Sequence, residues 1–156
     1  MTLIMGIDPG PEKSGYVFYS NIGGIVRSEI TENIYVKDFI RARSEDVIVA
    51  IETMVSSYGS VVGKETLESV YQAGIFHECA AAGGKVVVTC PRQSIKTHVT
   101  GSPRANDSMV RQALIDRFGV KGTKKNPGPT FGIKSHAWAA LAVVAYVLDL
   151  RTCGNG

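Results

Sequence analysis

Long hydrophobic runs are missing from this sequence, and so are paired cysteines. The most apolar segment, AWAALAVVAYVLDL (137–150), falls short of the roughly 18 apolar residues of a membrane span and ends in charge, so no membrane partner is expected. The N-terminus, MTLIMGIDPG, places no basic region ahead of a long apolar stretch and does not read as a signal peptide. A cytoplasmic location is the expectation. Only three cysteines occur, Cys79, Cys90 and Cys153, with no CxxC pair, which argues against a disulfide framework and a zinc ribbon and for reduced thiols. Neither sign of charge dominates. The 17 Lys and Arg against 14 Asp and Glu leave +3, which permits a polyanionic partner without demanding one. There is no internal repeat and no long linker, so residues 1–156 read as a single domain. A hydrophobic share of 44% against 20% charged is globular, and a chain of this length can bury a core without staples.

The apolar pattern predicts strands over 2–8, 15–20 and 24–30, with hairpin-turn chemistry in Ser20-Asn21-Ile22-Gly23-Gly24. A short amphipathic helix is expected over 36–44, a strand over 46–52, and a helix from Lys64 to about Ala82 with Leu67, Val70, Tyr71, Gly74 and Ile75 on one face. KVVVT (85–89) reads as a buried strand closed by Cys90-Pro91. Asn106 or Asp107 starts a helix that Gly119 stops, with Val110, Ala113, Leu114 and Phe118 at helical spacing. Residues 119–134 are rich in Gly, Pro and Lys and read as a mobile basic loop. Ser135 is expected to cap a last helix reaching about Leu150. The order is three strands, a helix, a strand, a helix, a strand and two helices. It implies an α/β fold: a mixed five-stranded sheet, antiparallel in its opening hairpin and parallel later, with helices on its faces.

Asp8 and Glu52 each end an apolar run, GID and AIE. On parallel neighbouring strands both carboxylates would emerge at one sheet edge and repel each other. A hard divalent cation held by oxygen ligands, Mg²⁺ or Mn²⁺, removes that repulsion. Gly6 and Gly10 would let the backbone turn tightly beside the first acid. The plainer reading is that Asp8 opens a turn and Glu52 meets solvent. His136, beside Trp138 on an apolar helix, is either a packed histidine, a metal ligand or a general base. His77 and His98 show no partner pattern and read as structural, and Asp116 reads as solvated.

Four segments in order, GIDPGPEKSGY, AIETM, THVTGSPRANDSMVRQAL and SHAWAALAVV, make the chain similar to the RuvC family of Holliday junction resolvases in the RNase H-like nuclease superfamily. The resemblance covers nearly the whole length, and the C-terminal motif and compact size suggest a phage or prophage branch. It implies the RNase H-like fold and a dimeric, Mg²⁺-dependent endonuclease, with two ions per site, that nicks a four-way DNA junction symmetrically. The family's first acid falls on Asp8 and its second on Glu52. The last helix usually supplies an acid or histidine and then an Asp three positions on. Here those positions are His136, which fits, and Ala139, which does not. In two-metal hydrolysis one ion activates water and the other stabilises the leaving oxygen. Ala139 therefore leaves three readings: an Asp replaced by Ala, a site using His136 with a carboxylate from elsewhere, or a domain that binds junctions without cutting. Asp107 is the candidate substitute, at a position where the family often places a lysine. The alternative is that it simply complements a helix N-terminus. A GIDxG strand also opens actin-like and sugar-kinase ATPases, but those need two related domains around the nucleotide.

DNA binding requires cations beside the cleft. Arg92 and Lys96 after the fifth strand, Arg104 before Asp107, and Lys121, Lys124, Lys125 and Lys134 ahead of the last helix are the candidates. Each alone equally suits a solvated surface. The resemblance places a junction-entering wedge in the loop after Glu52, where Val55 stands and Tyr58 could stack on a base. It also makes Leu67, Val70, Tyr71 and Gly74 homodimer-interface candidates; in a monomer the same face would be core.

Overall fold

The computed structural model of the chain describes residues 1–44, 46–54 and 61–154. Val55 and Tyr58 lie outside them. The strands are β1 (Leu3–Asp8), β2 (Lys13–Ser20) and β3 (Gly24–Glu32), then, after helix α1 (Asn33–Ala42), β4 (Val47–Thr53). Helix α2 (Lys64–Ala82) leads to β5 (Val86–Pro91), and α3 (Arg92–Thr100), α4 (Asp107–Phe118) and α5 (His136–Cys153) follow. The sheet order is β3-β2-β1-β4-β5. The pairs β1–β2 and β2–β3 are antiparallel, while β1–β4 and β4–β5 are parallel. This is the mixed sheet the patterning implied.

Alternation along the strands divides the core in two. Ile4, Val17, Ile48 and Ala50 face one side with Leu114, Leu141 and Val144 from α4 and α5. Met5, Ile7, Tyr16, Phe18, Val49 and Ile51 face the other with Val36, Ile40 and Phe76 from α1 and α2. Side chains of successive strand residues point to opposite faces, so a strand apolar at every position is one covered twice. Helix α5 is apolar nearly all round and lies buried, with Leu141, Val143, Val144 and Ala145 fully enclosed. Among the described residues no helix is long and apolar enough to cross a membrane.

Several expectations are corrected. Residues 92–100 form a helix, α3, that the sequence reading left as a connection. Its nine residues are mostly polar and bury only Ile95, so little apolar content marks the segment as an element. Helix α1 starts at Asn33, three residues early, because the Asn33 side chain is buried against the loop after β1. The 119–134 segment, read as a mobile loop, folds back on itself. Gly122 bridges Pro127, the Thr130 hydroxyl donates to the Gly119 carbonyl at 2.8 Å, and Thr130 and Ile133 are buried. Ser135 stands at the N-terminus of α5 without a side-chain cap, at a left-handed φ of 41°. Asn106 does cap α4, accepting from the Met109 N–H at 2.9 Å. Helix α2 buries Ala73, Phe76 and Ala80, whereas Leu67, Val70, Tyr71 and Gly74 are exposed. That helix carries apolar residues on two faces, and spacing cannot say which one the sheet takes.

Candidate active site

Asp8 and Glu52 belong to the same pleat. Gly6 pairs with Ala50 and Ile7 with Ile51 in the parallel β1–β4 ladder, so the next residue of each strand is the acid. By the two-residue alternation Asp8 follows Ile4 and Gly6, and Glu52 follows Ile48 and Ala50, onto the face that α5 covers. Both carboxylates are buried, at 5% and 8% exposure. They sit where two cavities, of about 460 Å³ and about 350 Å³, meet; Asp8, Glu52, Arg92 and His136 line both.

Two glycines bring α5 to the acids. A Cβ on Gly6 would lie 2.5 Å from the Ala140 carbonyl oxygen, and one on Gly15 would lie 2.5 Å from that of His136. Gly6 was expected to ease a turn; instead it lets the α5 backbone rest on β1. Gly15, opposite Asp8 in the β1–β2 ladder, does the same for the first residue of the helix. His136 Nδ1 consequently lies 2.9 Å from Asp8 Oδ2, although the imidazole itself is 71% exposed. The bond to Asp8 raises the His136 pKa above its ordinary 6.5; burial opposes this, and the nearby charges of Asp8 and Glu52 add to it.

Glu52 is bonded to Arg92, the first residue of α3, with Nε and Oε1 2.5 Å apart. Burial pushes the Glu52 carboxyl up, the Asp8 charge pushes it further, and Arg92 pulls it back. On the neighbouring strand, burial and the Glu52 charge hold the Cys90 thiol up at about 12, so it is a packed thiol rather than a nucleophile. Lys96, one turn beyond Arg92 on α3, and Asp107, at the start of α4, line the 350 Å³ cavity with Ala139.

The turn after Asp8 is held by residues that sequence reasoning passed over. The Ser14 hydroxyl donates to Asn33 Oδ1 at 2.6 Å, and Asn33 Nδ2 donates to the carbonyls of Gly10 and Pro11. The Gly10 N–H donates to Ser14 Oγ at 3.1 Å. Asn33 follows a strand directly, and no local signal marks it as reaching back 23 residues.

The remaining candidates are dispersed. Arg104, Lys121, Lys124, Lys125 and Lys134 are exposed, and none lines either cavity. Asp116 is exposed and accepts from Gln112. His77 lines the larger cavity. His98 has the partner its sequence context did not reveal: its Nε2 lies 2.6 Å from Asp149 Oδ2, and Arg117 grips the same carboxylate with two bonds of 2.7 Å.

Among the described residues no three His, Cys, Asp or Glu side chains are gathered closely enough to ligate one ion. The side chains bonded to the acids are instead Arg92 and His136. The donor set nevertheless suits a hard divalent cation. It offers buried carboxylate oxygens, with the Glu52 carboxyl pushed up by burial and then by the Asp8 charge, and Asp107 on the wall of the same cavity.

No protein-family model matches the sequence, and no curated protein matches it. Solved structures do match. RuvC of Thermus thermophilus in complex with a Holliday junction substrate aligns over 99% of this chain and 97% of that one, at 18% identity and a TM-score of 0.69. A second Thermus thermophilus RuvC structure aligns over 97% of this chain and 98% of that one, at 18% identity and a TM-score of 0.63. The five-stranded mixed sheet with helices on both sides therefore has the RuvC/RNase H-like fold.

Proposed function

We propose that this chain is a structure-selective DNA endonuclease that resolves four-way (Holliday) or otherwise branched junctions by metal-dependent phosphodiester hydrolysis. The observation that carries the proposal is the meeting of Asp8, Glu52 and His136, from three elements remote in sequence, at one pair of adjoining cavities on a RuvC fold.

Asp8 and Glu52 are the metal ligands, with Asp107 as the carboxylate that serves in place of an acid at Ala139 and His136 as a further ligand or proton carrier. Mg²⁺ or Mn²⁺, two ions in this reading, supplies activation of the attacking water and neutralisation of charge on the phosphate. The protein's own part is positional. The parallel strands hold two oxygen donors at one rim, and the Ser14–Asn33 clamp keeps the following turn in place. His136, held by Asp8, which raises its pKa, can take or return a proton at the cleft. Arg92 and Lys96 lie beside the cleft, where a phosphate strand would run. Arg104, Lys124, Lys125 and Lys134 lie outside it and serve the arms of a branched substrate.

The exposed apolar residues Leu67 (58%), Val70 (43%) and Tyr71 (73%) of α2 suit a homodimer interface. A two-fold dimer would set one site on each of two opposing strands of a symmetric junction.

A second reading has its own observation. Ala139 puts a methyl group on the wall of the cavity where a carboxylate would strengthen metal binding, which suits a junction binder that does not cut. A nicking assay on a mobile four-way junction with Mg²⁺ or Mn²⁺ separates the two. Paired nicks that vanish in D8N and E52Q are expected. Tight junction binding with no nicking in either metal would refute the endonuclease and leave the binder.

A further inference from the structure

Arg92 is bonded to a buried acid of the cleft while its own side chain is half in solvent. Glu52 is 8% exposed and Arg92 49%, and only the guanidinium Nε holds the carboxylate. Among the described residues, the two terminal nitrogens of Arg92 donate to no protein group. The residue lines both cavities, and the charges of Asp8 and Asp107 act on it as well as that of Glu52. A positive charge therefore already stands among the acids that a divalent cation would need. A side chain that is half in solvent, on the first residue of a helix, is free to turn without disturbing the core.

We propose that Arg92 is an exchangeable counter-ion. It neutralises Glu52 while the site holds no divalent cation, gives up that carboxylate when one arrives, and then presents its guanidinium to a phosphate of the DNA strand. The inference rests on the endonuclease reading above, because it takes Glu52 as a metal ligand. Two cations cannot share one carboxylate at contact distance without repelling each other, so metal and Arg92 oppose each other there. Once released, the planar fork of Arg92 suits phosphate oxygens better than an ammonium would. Metal binding and DNA binding then favour each other, since the metal releases the group that grips the DNA, and this coupling is reciprocal. Lys96, one turn along α3, stays beside the site as a second positive charge. It is not bonded to Glu52 and is not part of the exchange.

The test is calorimetric titration of the full chain with Mn²⁺ in the absence of DNA, for wild type, R92Q, R92K, E52Q and D8N. R92Q should bind Mn²⁺ about three- to tenfold more tightly, the effect of one unit charge a few ångströms away in a wet, salt-screened site. R92K, which keeps the charge, should stay near wild type. Junction binding followed by fluorescence anisotropy should tighten on adding Ca²⁺ in wild type and lose that tightening in R92Q. R92M, which keeps the apolar stem, repeats both measurements should R92Q fail to fold. An R92Q affinity for Mn²⁺ equal to or weaker than wild type, with E52Q and D8N losing binding, overturns the exchange and leaves the metal site standing. Unchanged Mn²⁺ binding in both E52Q and D8N overturns the metal site itself, and the exchange with it.

Discussion

The imidazole Nδ1 of His136 lies 2.9 Å from Oδ2 of Asp8, joining residues 128 positions apart in the chain. The bond links the first strand to the first residue of the last helix, at the mouth of both cavities. H136A should lower the junction-nicking rate by about a hundredfold, the usual size of a lost proton carrier. Because 71% of the side chain is exposed, the melting temperature should move by no more than about 2 °C. A nicking time course beside a thermal melt checks both parts. Loss of folding together with activity would make His136 a structural residue.

Gly15 and Gly6 are predicted to be intolerant of even one methyl group. G15A would drive a Cβ into the His136 carbonyl, and G6A into the Ala140 carbonyl and the Val144 side chain. Backbone atoms cannot yield as side chains do, so each substitution should cost about 1–3 kcal/mol. Urea unfolding should show a lower midpoint at an unchanged slope. A loss under about 0.5 kcal/mol in both variants would mean that α5 can lift off the sheet freely.

Asp107 and Ala139 share one cavity wall, and their roles should be complementary. D107N is expected to slow nicking by about tenfold or more, the effect of removing one charged ligand at such a centre. A139D in the D107N background should restore part of the loss by returning a carboxylate to the same space. Full activity in D107N would reduce Asp107 to a residue that merely complements the α4 N-terminus.

The Asp149 carboxylate ties three helices together, accepting from Arg117 on α4 and pairing with His98 on α3. The Arg117 bonds, with His98 adding to them, hold its pKa at about 2 against an ordinary 3.8. A depressed carboxylate stabilises the fold above its unfolded pKa and loses that contribution as pH falls through its folded value. D149N should therefore melt a few degrees below wild type at pH 7, and the gap should narrow as pH drops from about 4 toward 2. Denaturant curves at pH 7, 4 and 3 measure this. A gap of constant size would assign the effect to packing rather than to charge.

Much of the architecture can be read directly from residue patterns. The buried β1 and β4 are continuous apolar runs, and each stops at an acid because a carboxylate is tolerated only at the sheet's rim. The nearly all-apolar α5 announces a central buried helix. Helix α3 escaped because RQSIKTHVT is short and mostly polar, with Ile95 and Val99 its only aliphatic residues and Ile95 alone buried; its existence depends on packing against α4 and α5. Whether the Leu67 face of α2 is core or exposed stayed open in the sequence for a related reason, since Leu67, Val70 and Tyr71 carry the same apolar signal as Phe76.

The sequence by itself determined that Asp8 and Glu52 each close an apolar strand and that His136 stands at the start of the last helix, because alternation, helical period and turn chemistry are local properties of the chain. Only the tertiary structure decided that Arg92 would neutralise Glu52, that Asn33 would clamp the turn after Asp8, and that His98, Arg117 and Asp149 would form one network. Those contacts span between 23 and 51 positions along the chain. They follow from how helices settle on a sheet whose Gly6 and Gly15 leave room for a backbone, and no periodicity along the chain encodes that fit.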